Sequence, residues 1–398
     1  MGYQPGSALK GSPLRVITCV AMLVLSAPAV SASTEVYWSG FGFDGKQDFA
    51  AQRFPNSFSL FSEQEDGAGD LDTILREKVG ELRTSSFLVN TTSTGSIGPD
   101  APSSVALGFV LDRETVSVEP IGGQYKVLVA LSAQAMFFDF KEMAIVSTYP
   151  FSVNYIHTQS RQPTDQDIRA IVENMYIGAG KANLFDRFVE VLVEAKLNTE
   201  VNRRIQVTSV SVDPAVNDTL PPVWRDNLED FGVFLAQQFG RHLSEHQNVP
   251  VLPTIKGHAI GNRMSASFAD GRVYELEIPE ADYSITLSLQ KLVKIEYAKV
   301  AAGTSYIYGS YLRVQAEEPF SGRPYLDTTI KNGEVKKVPA SQTYVDDWPA
   351  YQDSILKLFG KFAAEIDSPS KDWVAKHIGD PGARKQLSAF GKVVQSCR

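Results

Sequence analysis

The sequence predicts an α+β protein with two tandem related domains, each a mostly antiparallel sheet with helices packed on one face. This prediction rests on an N-terminal export pattern, a strand-then-helix order that occurs twice, and an amphipathic helix that closes each copy. The predicted boundaries are 1–32 for a signal peptide, 33–202 and 203–370 for the two domains, and 371–398 for a C-terminal tail. The 398 residues are enough for two well-filled cores.

The first element is the export pattern. Lys10 and Arg15 precede an apolar run over residues 16–30, and Val30 and Ala32 suit the −3 and −1 positions of a cleavage site. A transmembrane anchor is the alternative, but the run is shorter than the ~20 residues that span a bilayer. We therefore expect cleavage near Ala32 and a periplasmic or secreted mature protein.

The composition restricts the partners. Forty-six acidic and 38 basic side chains give a net charge of −8, which argues against a nucleic-acid binder or a general binder of anionic membranes. No later window is apolar enough for a transmembrane segment in the mature chain. Two cysteines are too few for a disulfide framework or a thiolate zinc site, and no cofactor is expected.

Each copy then opens with an alternating strand, over residues 36–43 and 205–212, that ends at Asp44 and Asp213. Helices follow over 70–82 and 227–243, with Asp70 and Asn227 as N-cap residue types before apolar stripes. Further amphipathic helices are predicted over 184–197 and 351–366. The segments between Asp44 and Asp70 and from 92 to 104 are interpreted as long mobile loops.

The strands between these helices suggest a duplication. Tyr125 and Tyr283 begin similar alternating runs, and Tyr149 and Tyr311 fall in the next strand of each copy at nearly the same separation. Asp44 and Asp213 are slightly further apart in the sequence than the two tyrosine pairs are. The offset between the two copies is therefore similar for all three pairs. We interpret them as two copies of one module.

This element order, with the run Ala281-Asp-Tyr-Ser-Ile-Thr-Leu and the helix and Val-Pro-Val strand of residues 231–252, resembles periplasmic αβ domains of the TolB N-terminal and CsgG type. The resemblance covers most of each half. It implies a role in envelope assembly or as an adaptor. The lipobox of the lipoprotein members is absent from this chain.

One motif could carry chemistry. His242-Leu-Ser-Glu245-His246 is an H-x-x-E-H sequence, in which two histidines on one helix face bind Zn²⁺ and the glutamate activates water. The alternative is a solvated helix end, because Pro250 follows closely and Glu365 is too distant to nominate as a third ligand.

Two further features concern partners. Tyr306, Tyr308 and Tyr311 alternate on a predicted strand, where they serve either as core or as an aromatic interaction surface. After cleavage Cys397 is the remaining cysteine; it either links two chains into a homodimer or is a free thiol on a frayed tail.

The first hypothesis is therefore a non-enzymatic periplasmic binding or adaptor protein in envelope or surface-structure assembly, whose partner is another envelope protein. The alternative is a secreted zinc-dependent hydrolase with His242 and His246 as metal ligands and Glu245 as its catalytic residue. A periplasmic protein that binds a small solute is a third hypothesis. The sequence alone does not identify the partner.

Overall fold

A computed structural model describes residues 1–2, 34–62, 69–84, 86–92, 104–121, 123–180, 182–197, 203–254, 262–268, 271–342, 345–380 and 382–398. The chain divides into two units, Met1–Ala32 and Ser33–Arg398. The predicted signal peptide forms the first unit and lies outside the described residues, apart from Met1 and Gly2. Every element named below belongs to the second unit.

The first half of this unit begins with a strand, adds three helices, and continues with a group of long strands and two more helices. In chain order these are β1 (Thr34–Asp44), α1 (Gln47–Arg53), α2 (Pro55–Ser62), α3 (Gly69–Gly80), β2 (Phe87–Asn90), β3 (Val105–Ile121), β4 (Gln124–Asp139), β5 (Ala144–Gln159), α4 (Asp165–Ile177) and α5 (Leu184–Glu194).

The second half follows the same plan with two additions, the hairpin of β7 and β8 and a third helix after the meander. Its elements are β6 (Ile205–Val212), α6 (Pro214–Asn217), α7 (Pro222–Arg225), α8 (Leu228–Gln247), β7 (Arg263–Phe268), β8 (Val273–Glu277), β9 (Tyr283–Val300), β10 (Gly303–Glu318), β11 (Arg323–Pro339), α9 (Trp348–Glu365), α10 (Lys371–His377) and α11 (Ala383–Ser396).

The strands form two mixed sheets, ordered β2-β1-β3-β4-β5-β8-β7 and β11-β10-β9-β6. In each half the opening strand runs parallel to the first strand of a three-stranded antiparallel meander, β1 beside β3 and β6 beside β9. Leu252 bridges Gln206 in parallel, at the place that β2 takes beside β1. The α+β class predicted from the sequence is therefore confirmed, and the two halves repeat one connectivity.

Three β-bulges strengthen this correspondence, because each falls at the same place in both halves. A bulge leaves one extra residue without a partner on the neighbouring strand, and bulges persist within families. The extra residues are Ser39 and Thr208 in β1 and β6, Asp112 and Gln290 in β3 and β9, and Val146 and Tyr325 in β5 and β11. The two residues of a pair are almost equally far apart in the sequence in the second and third pairs, and slightly closer together in the first. Such agreement supports duplication of one module.

The bulges also correct the predicted alignment of the meander. The predicted alignment makes Tyr125 and Tyr283 equivalent, but Tyr125 lies in β4 and Tyr283 in β9. Since β9 is the counterpart of β3, the predicted alignment is shifted by one strand. The true counterparts start at positions 105 and 283, 124 and 303, and 144 and 323, and these pairs keep a nearly constant offset. Alternating Tyr and Val residues occur in several strands of this sheet type, so the pattern does not specify which strand it marks.

Sheet membership departs from the predicted boundary at 202/203. The β7–β8 hairpin lies in the second half of the sequence but joins the first sheet, where Phe268 pairs with Gly42 of β1 and Glu277 with Ala144 of β5. Residues 371–398 also differ from a tail, because α10 and α11 bury Val374, Phe390 and Val394 in the second core. The predicted loop after Asp44 holds α1 and α2, while 93–103 of the other predicted loop lie outside the described residues.

The elements of the described residues leave one sheet face uncovered. Apolar side chains of α1 to α5 cover one face of the first sheet, and the β7–β8 hairpin covers part of its other face through Phe268, Tyr274 and Leu276. Helices α8, α9 and α11 cover one face of the second sheet. We call the opposite face of the second sheet the open face. Among the described helices, none combines the length and apolarity needed to cross a bilayer.

Candidate functional site

The H-x-x-E-H sequence lies in the last turns of α8, which packs between the two sheets and contacts both β5 and β6. Twelve of its side chains or backbone positions are buried, from Phe231 to Gln247, on more than one side of the helix. A helix that is buried on several sides distributes successive side chains to different neighbours. The motif residues therefore face two different surroundings, one for the two histidines and one for Glu245.

Glu245 faces the first sheet. Its carboxylate accepts a hydrogen bond from Arg241 Nη1 at 3.0 Å and from the Ser152 backbone N–H at 3.4 Å, and Arg187 Nη2 lies 4.0 Å away. Arg241 is itself buried and donates to Gln238. These contacts make Glu245 the partner of a buried arginine at the junction between the halves, and loss of either side chain would leave the other charge buried and unpaired.

His242 and His246 face α9. Their ring centroids are 6.2 Å apart, and the ring of Phe359 lies 6.4 Å from that of His242. Arg241 Nη2 lies 3.1 Å from His242 Nε2; an arginine only donates, so this nitrogen accepts and the proton is assigned to Nδ1. Burial, aided by the charge of Arg241, lowers the pKa of His242 to about 3, so the ring is neutral at physiological pH.

The arrangement lacks the geometry of a zinc hydrolase. Within the part of the chain that the structure describes, no group of three or more His, Cys, Asp or Glu side chains is placed to hold a metal ion. Glu365, the residue that the sequence could not nominate as a ligand, accepts the N–H of Ser370 instead. His242 and His246 share a helix face as the spacing predicts, but Glu245 is directed elsewhere.

A narrow cleft lies where α8, the first sheet and β7 meet. It measures about 460 Å³ including its open mouth, and its lining includes Asp44, Asp112, Gln134, Gln237 and Met264. Asp112 is the bulge residue of β3; burial raises the pKa of its carboxyl to about 7, opposed by the charge of Arg113. The sequence did not indicate this carboxyl. A bulge can direct the side chain of one strand residue towards a cleft, and no local sequence pattern marks such a bulge.

The three tyrosines of the predicted interaction surface lie on two faces of β10. Tyr308 is 1% exposed and donates to Asp347 at the start of α9, so it belongs to the core. Tyr306 is partly buried on the same face, with Lys294 Nζ 4.4 Å from its ring centroid. Tyr311 is partly exposed on the open face. The prediction of a common surface for these residues is wrong for Tyr308, because α9 covers its side of the strand.

The predicted disulfide link through Cys397 is also not supported. Cys397 is 1% exposed, and its thiol contacts the Val393 carbonyl at 3.4 Å. Burial raises the pKa of the thiol to about 12. A thiol that is buried and protonated is neither accessible nor nucleophilic enough to form an intermolecular disulfide.

Several exposed apolar side chains lie together at the far ends of the three meander strands of the second half. We call residues 293–300, 303–309 and 333–339 the outer segment. Ile295, Tyr297, Val300 and Val335 are between 53 and 67% exposed there. Ile307 pairs with both Ile295 and Val335, so these three side chains form one row across the open face. Exposed apolar groups in contact with one another are typical of interaction sites.

Lysines surround this apolar row. On the open face Lys291 and Lys331 flank Tyr311, and Lys337 lies two residues beyond Val335. The acidic side chains nearby are turned to the helix-covered side, where Glu334 pairs with Lys357 and Lys361. Burial opposes ionisation of Glu334, but its hydrogen bonds to Lys361, Asn332 and Lys357 prevail and lower the pKa to about 2. The outer rows of the open face are therefore apolar and basic in an otherwise acidic chain.

Sequence reasoning placed tyrosines here and missed Ile295 and Val335. One signal was available: β9, β10 and β11 are 16 to 18 residues long, whereas α9 has 18 residues at the much shorter rise of a helix. Strands of that length extend past the helix that covers them. Their outer apolar residues are then exposed.

Neither a protein-family model nor a curated protein sequence matches this chain. Two solved structures show a loose likeness. One is a homolog of neuraminyllactose-binding hemagglutinin from Helicobacter pylori, with 13% identity and a TM-score of 0.25 over 40% of this chain and 86% of that chain. The other is a minor lipoprotein from Acinetobacter baumannii, with 10% identity and a TM-score of 0.21 over 46% of this chain and 98% of that chain. At these TM-scores neither likeness assigns a fold or a function.

Proposed function

We propose that the mature chain is a non-enzymatic binding or adaptor protein of the bacterial cell envelope, which contacts another envelope protein through the outer segment. The observation that carries this proposal is the row of Ile295, Ile307 and Val335 on the open face. Fully burying an exposed Val or Ile side chain contributes roughly 1.5–3 kcal/mol, and a partner that covers this partly exposed row would gain a share of that free energy.

Two sequence features support the envelope location. The basic residues and apolar run before Ala32 have the pattern of an export signal. The resemblance to periplasmic αβ domains points to the same compartment. The polar contacts of Glu245 with Arg241 and Ser152 support a structural role for the H-x-x-E-H sequence.

A pull-down with mature protein, residues 33–398, tests the proposal. The wild type is expected to retain a partner from an envelope extract, whereas a variant with Ile295→Ser and Val335→Ser retains at least tenfold less, because the apolar row is lost. Ile156→Ser is the matched control, since Ile156 is 60% exposed on the first sheet. Equal recovery by all three proteins, or loss with the control alone, would contradict the proposal.

A further inference from the structure

One edge of the second sheet ends in strand β11, which has β10 on one side and no strand on the other among the described residues. An unpaired edge presents N–H and C=O groups that can accept another strand. Two contacts identify which residues point these groups outward. Asp327 donates its N–H to Gln386 of α11, and the Lys331 carbonyl is bonded by His377 of α10.

Alternate residues of a strand point their backbone groups to the same side. Asp327 and Lys331 are both odd-numbered, so the odd-numbered residues of β11 point their backbone groups away from β10. Pro339 fits this series, because it has no N–H to donate to β10. The outward positions further along are therefore Gly333, Val335 and Lys337. The C-terminal helices α10 and α11 cover the inner part of the edge, and these three positions have no such contact among the described residues.

The side chains of Lys331, Val335 and Lys337 lie on the open face, and Gly333 has no side chain there. Val335 is 53% exposed, and Lys331 and Lys337 stand on either side of it along the strand. These lysines form no ion pair with another described residue, unlike Lys336, which is bound to Asp353 on the opposite face. The edge thus presents the open-face order Lys, Gly, Val, Lys over positions 331, 333, 335 and 337.

We propose that this edge binds an extended segment of the partner protein as an added strand, with apolar residues in the middle and acidic residues at both ends. The inference rests on the proposed function and names the chemistry of the partner. Backbone hydrogen bonds to Gly333, Val335 and Lys337 hold the strand, its apolar side chains extend the row of Val335 and Ile307, and its carboxylates meet Lys331 and Lys337. The lysines disfavour a second copy of β11, because like charges would then face one another.

The first half of the chain offers a natural comparison. In β5, the counterpart of β11, the Ser152 N–H is bonded by Glu245 and the Thr148 carbonyl by Val251, so the outward positions that follow are Asn154, Ile156 and Thr158. Ile156 corresponds to Val335, because each lies equally far from the first residue of its strand. Ser152 and Thr158 stand where β11 has Lys331 and Lys337. The β5 edge has the same backbone but lacks the charges.

The test uses mature protein and a fluorescein-labelled peptide, Glu-Thr-Val-Thr-Ile-Thr-Glu, whose symmetric charges suit either strand direction. Fluorescence anisotropy is expected to give saturable binding that weakens as salt is added. Val335→Pro removes an outward N–H at an edge position, where proline is tolerated, and should weaken binding at least tenfold. Ile156→Pro is the matched control and should leave binding within twofold.

The charges are tested separately. The double variant Lys331→Glu and Lys337→Glu should bind the acidic peptide at least tenfold more weakly and bind Lys-Thr-Val-Thr-Ile-Thr-Lys better than the wild type does. Circular dichroism and thermal melts establish that each variant is folded; if Val335→Pro does not fold, Val335→Glu takes its place. Unchanged binding in the β11 variants, or an equal loss in Ile156→Pro, would overturn the inference.

Two other outcomes separate this inference from the proposed function. A dimer in sedimentation experiments that Val335→Pro abolishes would overturn the inference, because a second copy would then occupy the edge. No peptide binding, with a partner still retained by the outer segment in the pull-down, would overturn the inference alone. Failure of both experiments would remove the proposed function as well.

Discussion

The side chains of the H-x-x-E-H sequence illustrate how little a short motif determines. The spacing does place His242 and His246 on one side of α8, as a helix requires. The role of Glu245 depends instead on Arg241 and on Ser152, which belongs to a strand much earlier in the chain. Burying a charged arginine is costly unless a carboxylate pairs with it. The sequence does not reveal that Arg241 is buried; only the tertiary structure does.

At this scale we predict that His242 makes the protein sensitive to acid. The unfolded chain takes up a proton near the ordinary histidine pKa of about 6.5, whereas the folded chain does so only near 3. The free energy of unfolding therefore falls as pH decreases from about 6.5 towards 3. Urea unfolding at pH 7 and pH 4.5 should show a smaller loss in His242→Gln than in the wild type.

His157→Gln, at the outer end of β5, is the control for that experiment because it also removes one imidazole. It should lose as much stability between the two pH values as the wild type. A wild-type loss shared fully by His242→Gln would assign the acid sensitivity to other groups.

Single elements were predictable where the pattern is local. The limits of β6 and, to within one residue, the end of β1 follow from alternation, and the apolar stripes of α3 and α8 locate both helices within a few residues. The bulges at Asp112 and Gln290 and the correspondence of β3 with β9 were not predictable, because both depend on which strands become neighbours. The separation of Asp44 from Asp213 was the one predicted offset that also fits a bulge pair, the one in β1 and β6.

Helix α11 gives a prediction about its terminal thiol. Leu387, Phe390, Val394 and Cys397 lie on its buried side, so the thiol is reached only when the helix detaches. Native mature protein should react with a thiol reagent at least a hundredfold more slowly than urea-unfolded protein, which should titrate one thiol. The double variant Cys397→Ser and Ser396→Cys moves the thiol to the exposed neighbour and should react at once. Rapid labelling of the native wild type would contradict the packing of α11.

The whole molecule is connected across its two halves, although the sequence divides into two copies. Helix α8 packs between the sheets, and β7 and β8 extend a sheet that belongs to the other copy. Val110, Met136 and Phe138 of the first sheet form a small core with Phe268 and Leu276 of this hairpin. Such a core is invisible to a pattern search, because strands β3 and β4 look the same whichever segment covers them.

This connection predicts that the first copy is not stable by itself. A fragment of residues 33–202 lacks the hairpin and α8, which leaves Val110, Met136 and Phe138 in water. It should bind a hydrophobic dye and unfold without a cooperative transition, whereas the mature chain should unfold cooperatively in urea. A sharp, cooperative transition of the isolated fragment would show that the two copies are independent domains.

The pairing of Gly42 with Phe268 also has a consequence in time. The end of β1 around Gly42 obtains its partner strand only when β7, from the second half of the chain, is present. A ribosome delivers the amino terminus first, at about 5–20 residues per second, so Gly42 is made roughly 10–45 seconds before the strand that pairs with it. The apolar residues of the first sheet that this hairpin covers therefore stay uncovered until β7 and β8 are available.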